Sequence, residues 1–161
     1  MCIFIKSVNN TNIHQNININ IFSNIIYNNF IELKNINYLI HNKKDIINLL
    51  LNKNFNGFLL FDNSKIIGYL IGKFTILSDG RYVYFLDYIY IAKNFRNKKL
   101  GELLINKLIS YCLENGVNII TLICDYSDEK VIKFYNKFGF IKDTFLNNHK
   151  KHNILSLYIN E

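Results

Sequence analysis

The sequence predicts a mixed α/β domain built on a mostly antiparallel sheet, and three stretches carry that prediction. Gly57–Phe61 and Lys65–Lys73 are apolar runs joined by Asp62-Asn63-Ser64, a turn composition suited to a hairpin. Tyr82–Ala92 is a longer run of the aromatic and β-branched residues that suit a strand. It leads through the basic turn Lys93–Lys99 into apolar residues at helical spacing. Asn118–Cys124 is a short, continuous apolar run, read as a buried strand. It should lie parallel to Tyr82–Ala92, because a helix crosses over between them.

The remaining elements follow in chain order. Cys2–Val8 alternates enough for a first strand, with Ile3 and Ile5 on one face. Asn9–Asn20 alternates Asn with Ile and has no clear period. From Ile21 to Leu33, the residues Ile21, Phe22, Ile25, Ile26 and Phe30 recur at helical spacing, and Asp45–Asn52 gives a second short helix. Ser78-Asp79-Gly80 is a turn before the long strand. Leu100, Leu104, Leu108, Tyr111 and Cys112 form the apolar stripe of the crossover helix, and Asn115-Gly116 supplies its stop. Asp128 is the expected N-cap of a last helix carrying Val131, Phe134, Tyr135 and Phe138, which Gly139 ends. Phe140–Thr144 and Asn153–Ile159 are the expected final strands, around the polar loop Asn147–His152. No repeat or linker interrupts the chain, so one domain, residues 1–161, is expected.

A strand, a basic turn and a helix together make an anion-binding arrangement. The first turn of a helix leaves backbone N–H groups without intrahelical partners, and the helix dipole adds partial positive charge there. A phosphate against those groups is stabilised by both effects. Arg96, Lys98 and Lys99 bring full positive charge to the same spot, and Gly101 leaves the backbone approachable.

Composition narrows the classes. Half of the 161 residues are apolar and 15% are aromatic, so a disordered chain is excluded. The net charge of +7 suits an anionic ligand, and the chain has no compact Lys/Arg cluster interleaved with aromatics of the kind that reads nucleic acid. The three cysteines, Cys2, Cys112 and Cys124, lack metal-ligand spacing, so no metal is expected; Cys112 and Cys124 read as buried thiols. His14 and His41 read as surface histidines without partners. No segment approaches a transmembrane length, and the expectation is a soluble, cytoplasmic protein that binds neither membrane nor nucleic acid. A homodimer is left open.

Phe95-Arg96-Asn97-Lys98-Lys99-Leu100-Gly101 resembles the pyrophosphate-binding motif of the GNAT superfamily of acetyl-CoA-dependent N-acetyltransferases, Arg/Gln-x-x-Gly-x-Gly/Ala. The run Asp128–Phe140 resembles the second signature of that family, Asn-x-x-Ala-x-x-Phe-Tyr-x-Lys-x-Gly-Phe. Lys99 stands for the first Gly, Asp128 for Asn and Val131 for Ala. The resemblance covers the second half of the chain by motif and the first half by element order.

It implies the GNAT fold: a mixed, mostly antiparallel sheet of about seven strands with about four helices, splayed between the fourth and fifth strands. It implies acetyl-CoA as cosubstrate. Ile89, Tyr90 and Ile91 would pair with the pantetheine arm, and the N–H groups of Asn97, Lys98, Lys99, Leu100, Gly101 and Glu102 would meet the pyrophosphate, with Arg96 alongside. Asp128 is either a coenzyme contact or only a cap. Tyr135 matches the family tyrosine that protonates the leaving thiolate. Asp87 matches a strand position where some members carry the base, with Asp125 the runner-up. The resemblance does not separate amine acceptors; the short chain and the carboxylates Asp87 and Asp125 favour a small primary amine over a protein N-terminus or lysine, and the positive net charge favours an amino-sugar phosphate over a polyamine-like molecule. An inactive coenzyme A-binding module and a basic nucleic-acid-binding domain are the readings of a different class.

Overall fold

The computed structural model describes residues 2–32, 41–125, 127–146 and 152–160. In chain order these form β1 (Ile3–Asn9), α1 (Ile13–Asn16), α2 (Ile19–Glu32), α3 (Lys43–Leu51), β2 (Phe55–Asp62), β3 (Lys65–Ile76) and β4 (Tyr82–Ile91). There follow a short 3₁₀ turn (Lys93–Phe95), α4 (Leu100–Glu114), β5 (Ile119–Asp125), α5 (Glu129–Asn136), β6 (Ile141–Lys142) and β7 (His152–Tyr158). The strands make a seven-stranded sheet in the order β1-β2-β3-β4-β5-β7-β6. Every neighbouring pair is antiparallel except β4 and β5. That exception follows from the α4 crossover, as the sequence leads one to expect.

Alternation along each strand sends side chains to two cores, one on each side of the sheet. On one side α4 and α5 cover Tyr84, Leu86, Ile120, Leu122, Leu155 and Leu157, using Leu104, Ile105, Leu108 and Cys112. On the other, α1, α2 and α3 bring Ile13, Phe22, Ile26, Ile46 and Leu50 onto Leu59, Tyr69 and Ile71. Cys112 and Cys124 are buried free thiols, as read from their apolar neighbours, and Cys2 is exposed.

Several boundaries differ from the expected ones for local reasons. The unassigned Asn-rich segment holds α1, because Asn9 and Asn12 close a side-chain network around the turn and Ile13 is fully buried. With it there are five α-helices among the described residues, against about four expected. Helix α3 starts at Lys43 because Asn42 and Asp45 form a reciprocal capping box. The strand expected over Phe140–Thr144 shortens to Ile141–Lys142, since Asp143 turns inward to meet Arg81. The end of the expected helix at Leu33, the loop that follows it, and residues 147–151 of the expected polar loop lie outside the described residues. Among the described residues, no helix is long and apolar enough to cross a membrane.

Candidate active site

The parallel pairing of β4 with β5 is short. It joins Tyr84 to Ile120, Phe85 to Thr121 and Leu86 to Leu122, and then the strands part. From Tyr88 to Ile91, β4 stays paired with β3 on one edge and, among the described residues, is open on the other. β5 meanwhile stays paired with β7. The parting begins at a β-bulge: Ile71 faces Tyr88 while the next residue, Gly72, faces Leu86, so Asp87 is the extra residue. Gly72 permits this bulge, because a Cβ there would collide with the carbonyl oxygen of Phe85.

The opening holds two connected spaces. A cavity of about 210 Å³ lies at the bulge, where Asp87, Cys124, Asp125, Asp128 and Tyr135 meet Ile89 and Tyr90. A groove of about 390 Å³ continues from it, sharing Ile89, Tyr90 and Val131, to Arg96, Asn97, Lys99, Leu100, Gly101 and Glu102. Of the coenzyme-binding and catalytic candidates read from the sequence, Lys98 is the one that lines neither space; its ammonium lies over the Phe95 ring, 5.3 Å from the centroid.

At the far end, Lys99 is the N-cap of α4 in the left-handed conformation (φ +59°) and gives the helix no side-chain cap. Among the described residues, no acceptor meets the N–H groups of residues 97–102. Left-handed backbone is what a glycine at this position would adopt freely; lysine adopts it at a cost of about 1 kcal/mol. Arg96 donates from Nε to the Ile91 carbonyl (2.9 Å), and its guanidinium lies over the Tyr90 ring, which fixes the turn against the end of β4. Glu102 is drawn aside by Lys137 (3.3 Å). The missing side chain of Gly101 makes room for the Phe134 ring of α5.

At the bulge, one carboxylate oxygen of Asp87, Oδ2, is buried without a hydrogen bond among the described residues; Lys73 Nζ stands 3.8 Å away, an ionic contact beyond hydrogen-bond reach. Burial pushes the Asp87 carboxyl up to about 6, against the opposing pull of Lys73. Asp125 has one oxygen engaged, accepting from the backbone N–H and hydroxyl of Ser127. Asp128 caps α5 by accepting from the Val131 N–H (3.1 Å). Tyr135 is 6% exposed, wedged edge-on against Phe134 and Phe140. Its hydroxyl makes no hydrogen bond among the described residues, and burial, with the nearby Cys124, raises its pKa so that it stays protonated.

His41 is not the free surface histidine expected. It packs on Phe30 and Tyr88 and shares a hydrogen bond between Nδ1 and the Tyr88 hydroxyl. Burial lowers its pKa, with Asp45 pulling the other way. Its partners come from distant elements, so neither period nor spacing marks them.

The family model for the acetyltransferase (GNAT) family matches residues 24–140. The chain belongs to this family. One relative is an uncharacterised N-acetyltransferase, ycf52, of Pyropia yezoensis, 29% identical over 111 residues; the match covers 69% of this chain and 56% of that protein. The chain therefore spans little more than half the length of this curated relative. Two solved structures show the likeness of fold. PaiA N-acetyltransferase of Thermoplasma acidophilum, in complex with coenzyme A, has a TM-score of 0.71 at 16% identity, covering 98% of this chain and 99% of that one. The ribosomal-protein-S18-alanine N-acetyltransferase of Escherichia coli has a TM-score of 0.71 at 18% identity, covering 99% and 96%.

Proposed function

We propose that this GNAT protein transfers the acetyl group of acetyl-CoA to a primary amine of a small molecule. The observation that carries the reading is the continuity of the cleft. A groove ending on unpartnered N–H groups runs along the open edge of β4 into a cavity shared by Asp87 and Tyr135.

The residues present fit the cosubstrate. The N–H groups of residues 97–102, the α4 dipole and the charges of Lys99 and Arg96 suit a pyrophosphate. The free edge at Ile89, Tyr90 and Ile91 offers backbone groups to an amide-bearing arm, as an added strand would use them. Bound acetyl-CoA supplies an activated acyl thioester. Asp87, poised near neutrality, takes the proton that the attacking amine must lose. Tyr135 holds a proton at its hydroxyl for the departing sulfur. Asp125 remains the alternative base, less suited because Ser127 already engages it.

The acceptor classes to compare are an amino-sugar phosphate and a polyamine-like molecule, with a protein N-terminus or lysine as the alternative. A thiol-release assay with acetyl-CoA should include glucosamine 6-phosphate, glucosamine, spermidine, amino acids and short peptides. Release with one or more of the small amines is the expected result. Release confined to peptides would refute the small-molecule reading, and release with none would refute acetyl transfer.

A further inference from the structure

Asp87 has a second side. Beyond the bulge, a separate cavity of about 230 Å³ opens between α3 and the sheet, where His41, Asp45, Asn48, Lys73, Asp87 and Tyr88 meet. His41, Asp87 and Tyr88 also line the cavity that Tyr135 faces, so the two spaces share one wall. The outer space is polar and its charge is uneven. Asp45 and Asp87 supply two carboxylates, and the single cation in its lining, among the described residues, is Lys73, already set against Asp87. Burial keeps His41 neutral at pH 7. Lys43 and Lys44 precede Asp45 on α3 but line no part of the cavity, and Lys43 lies over the Tyr27 ring.

We propose that this outer cavity is a subsite for a second cationic group of the acceptor, so that the preferred substrate is a small diamine and not an amine bearing phosphate. The inference rests on the reading of the cleft as an acetyl-transfer site. One amine of the acceptor lies at Asp87 on the shared wall, uncharged when it reacts, while the other stays an ammonium near Asp45, Asn48 and the Tyr88–His41 pair. The lining is net negative at neutral pH, which suits one retained ammonium and repels a phosphate. The net charge of +7 for the chain acts at long range and is screened by physiological salt; the carboxylates act at contact.

Calorimetry on the protein saturated with coenzyme A tests this, with 1,5-diaminopentane and pentylamine as probes. The diamine should bind about fivefold more tightly than the monoamine, the scale of one partly exposed ion pair. Asp45→Asn retains an oxygen for the Asn42 N–H cap and should reduce that preference to about twofold, the statistical advantage of two amines. Asn48→Asp, a second carboxylate on the same helix face, should widen it. Equal affinity for both probes, an unchanged preference in Asp45→Asn, or tighter binding of glucosamine 6-phosphate than of glucosamine would overturn the subsite. Preferential binding of the diamine without its acetylation would sustain the subsite and refute acetyl transfer. Acetylation of both probes with equal affinity would do the reverse.

Discussion

Asp87 carries its charge at a cost to the fold, and that cost can be measured. Its folded pKa, about 6, lies above the ordinary value of 3.8, so the native state binds the proton more tightly than the unfolded chain does. Stability therefore falls as pH rises from about 4 to 6. Asp87→Asn should raise stability at pH 7 by on the order of 2 kcal/mol and leave it nearly unchanged at pH 3.5, read from urea midpoints at both pH values. The same substitution should abolish the acidic limb of the pH–rate profile. In the wild type, kcat/KM should rise through about pH 6 as Asp87 loses its proton. A profile identical to wild type in Asp87→Asn would move the base to Asp125 or solvent. Tyr135→Phe preserves the ring contacts with Phe134 and Phe140 and removes the proton. It should leave coenzyme affinity intact and reduce kcat by about 10²-fold; an unchanged rate would return Tyr135 to a packing role.

Among the elements, the turn into α4 and the junction of β6 and β7 each concentrate a testable trade. Lys99→Gly relieves the left-handed strain at the α4 N-cap, so the melting midpoint should rise by the equivalent of about 1 kcal/mol. Because lysine already holds the backbone geometry that glycine would take, what is lost is charge, and acetyl-CoA affinity should fall several-fold in calorimetry. Unchanged affinity would mean that the lysine ammonium adds nothing there. At the other junction, burial alone would raise the Asp143 carboxyl. The Arg81 guanidinium, the Ser156 hydroxyl and the N–H groups of Phe145 and Leu146 outweigh burial and hold it at about 2. That depression stabilises the fold by about 2 kcal/mol above pH 4 and is lost as pH falls toward 2. Arg81→Met should cost about 3 kcal/mol at pH 7 and move acid unfolding to higher pH, measured by denaturant titration at several pH values.

The sequence made some of these features legible and hid others. The hairpin, the crossover and the anion-binding turn are written locally, in turn residues, apolar period and charge, and the cap at Asp128 is a local signal too. The capping box at Asn42 and Asp45 was equally local, yet it lay in an Asn-rich stretch where one more Asn draws no notice. The bulge at Asp87 and the aromatic seat of His41 depend on register between strands and on contacts across the sheet. No window of the sequence contains those. The partner of Asp143, 62 residues away, is of the same kind.

At the scale of the whole molecule, everything proposed for the cleft depends on its binding acetyl-CoA. One core runs across β4 and β5 on the α4 face of the sheet and a second covers the opposite face, and among the described residues the split leaves an edge of β4 and the start of α4 without backbone partners. A ligand that fills that space and binds only the folded chain couples to its folding. At a hundred times its dissociation constant it stabilises by ~2.7 kcal/mol, which for a domain of this size is a rise of roughly 5–10 °C in melting temperature. Thermal unfolding with and without acetyl-CoA is the direct test. The wild type should show that rise, and Arg96→Ala a smaller one, because its turn loses the tie to the Ile91 carbonyl. No shift at millimolar acetyl-CoA, beside tight and salt-sensitive binding of DNA or RNA, would contradict acetyl-CoA binding by the cleft.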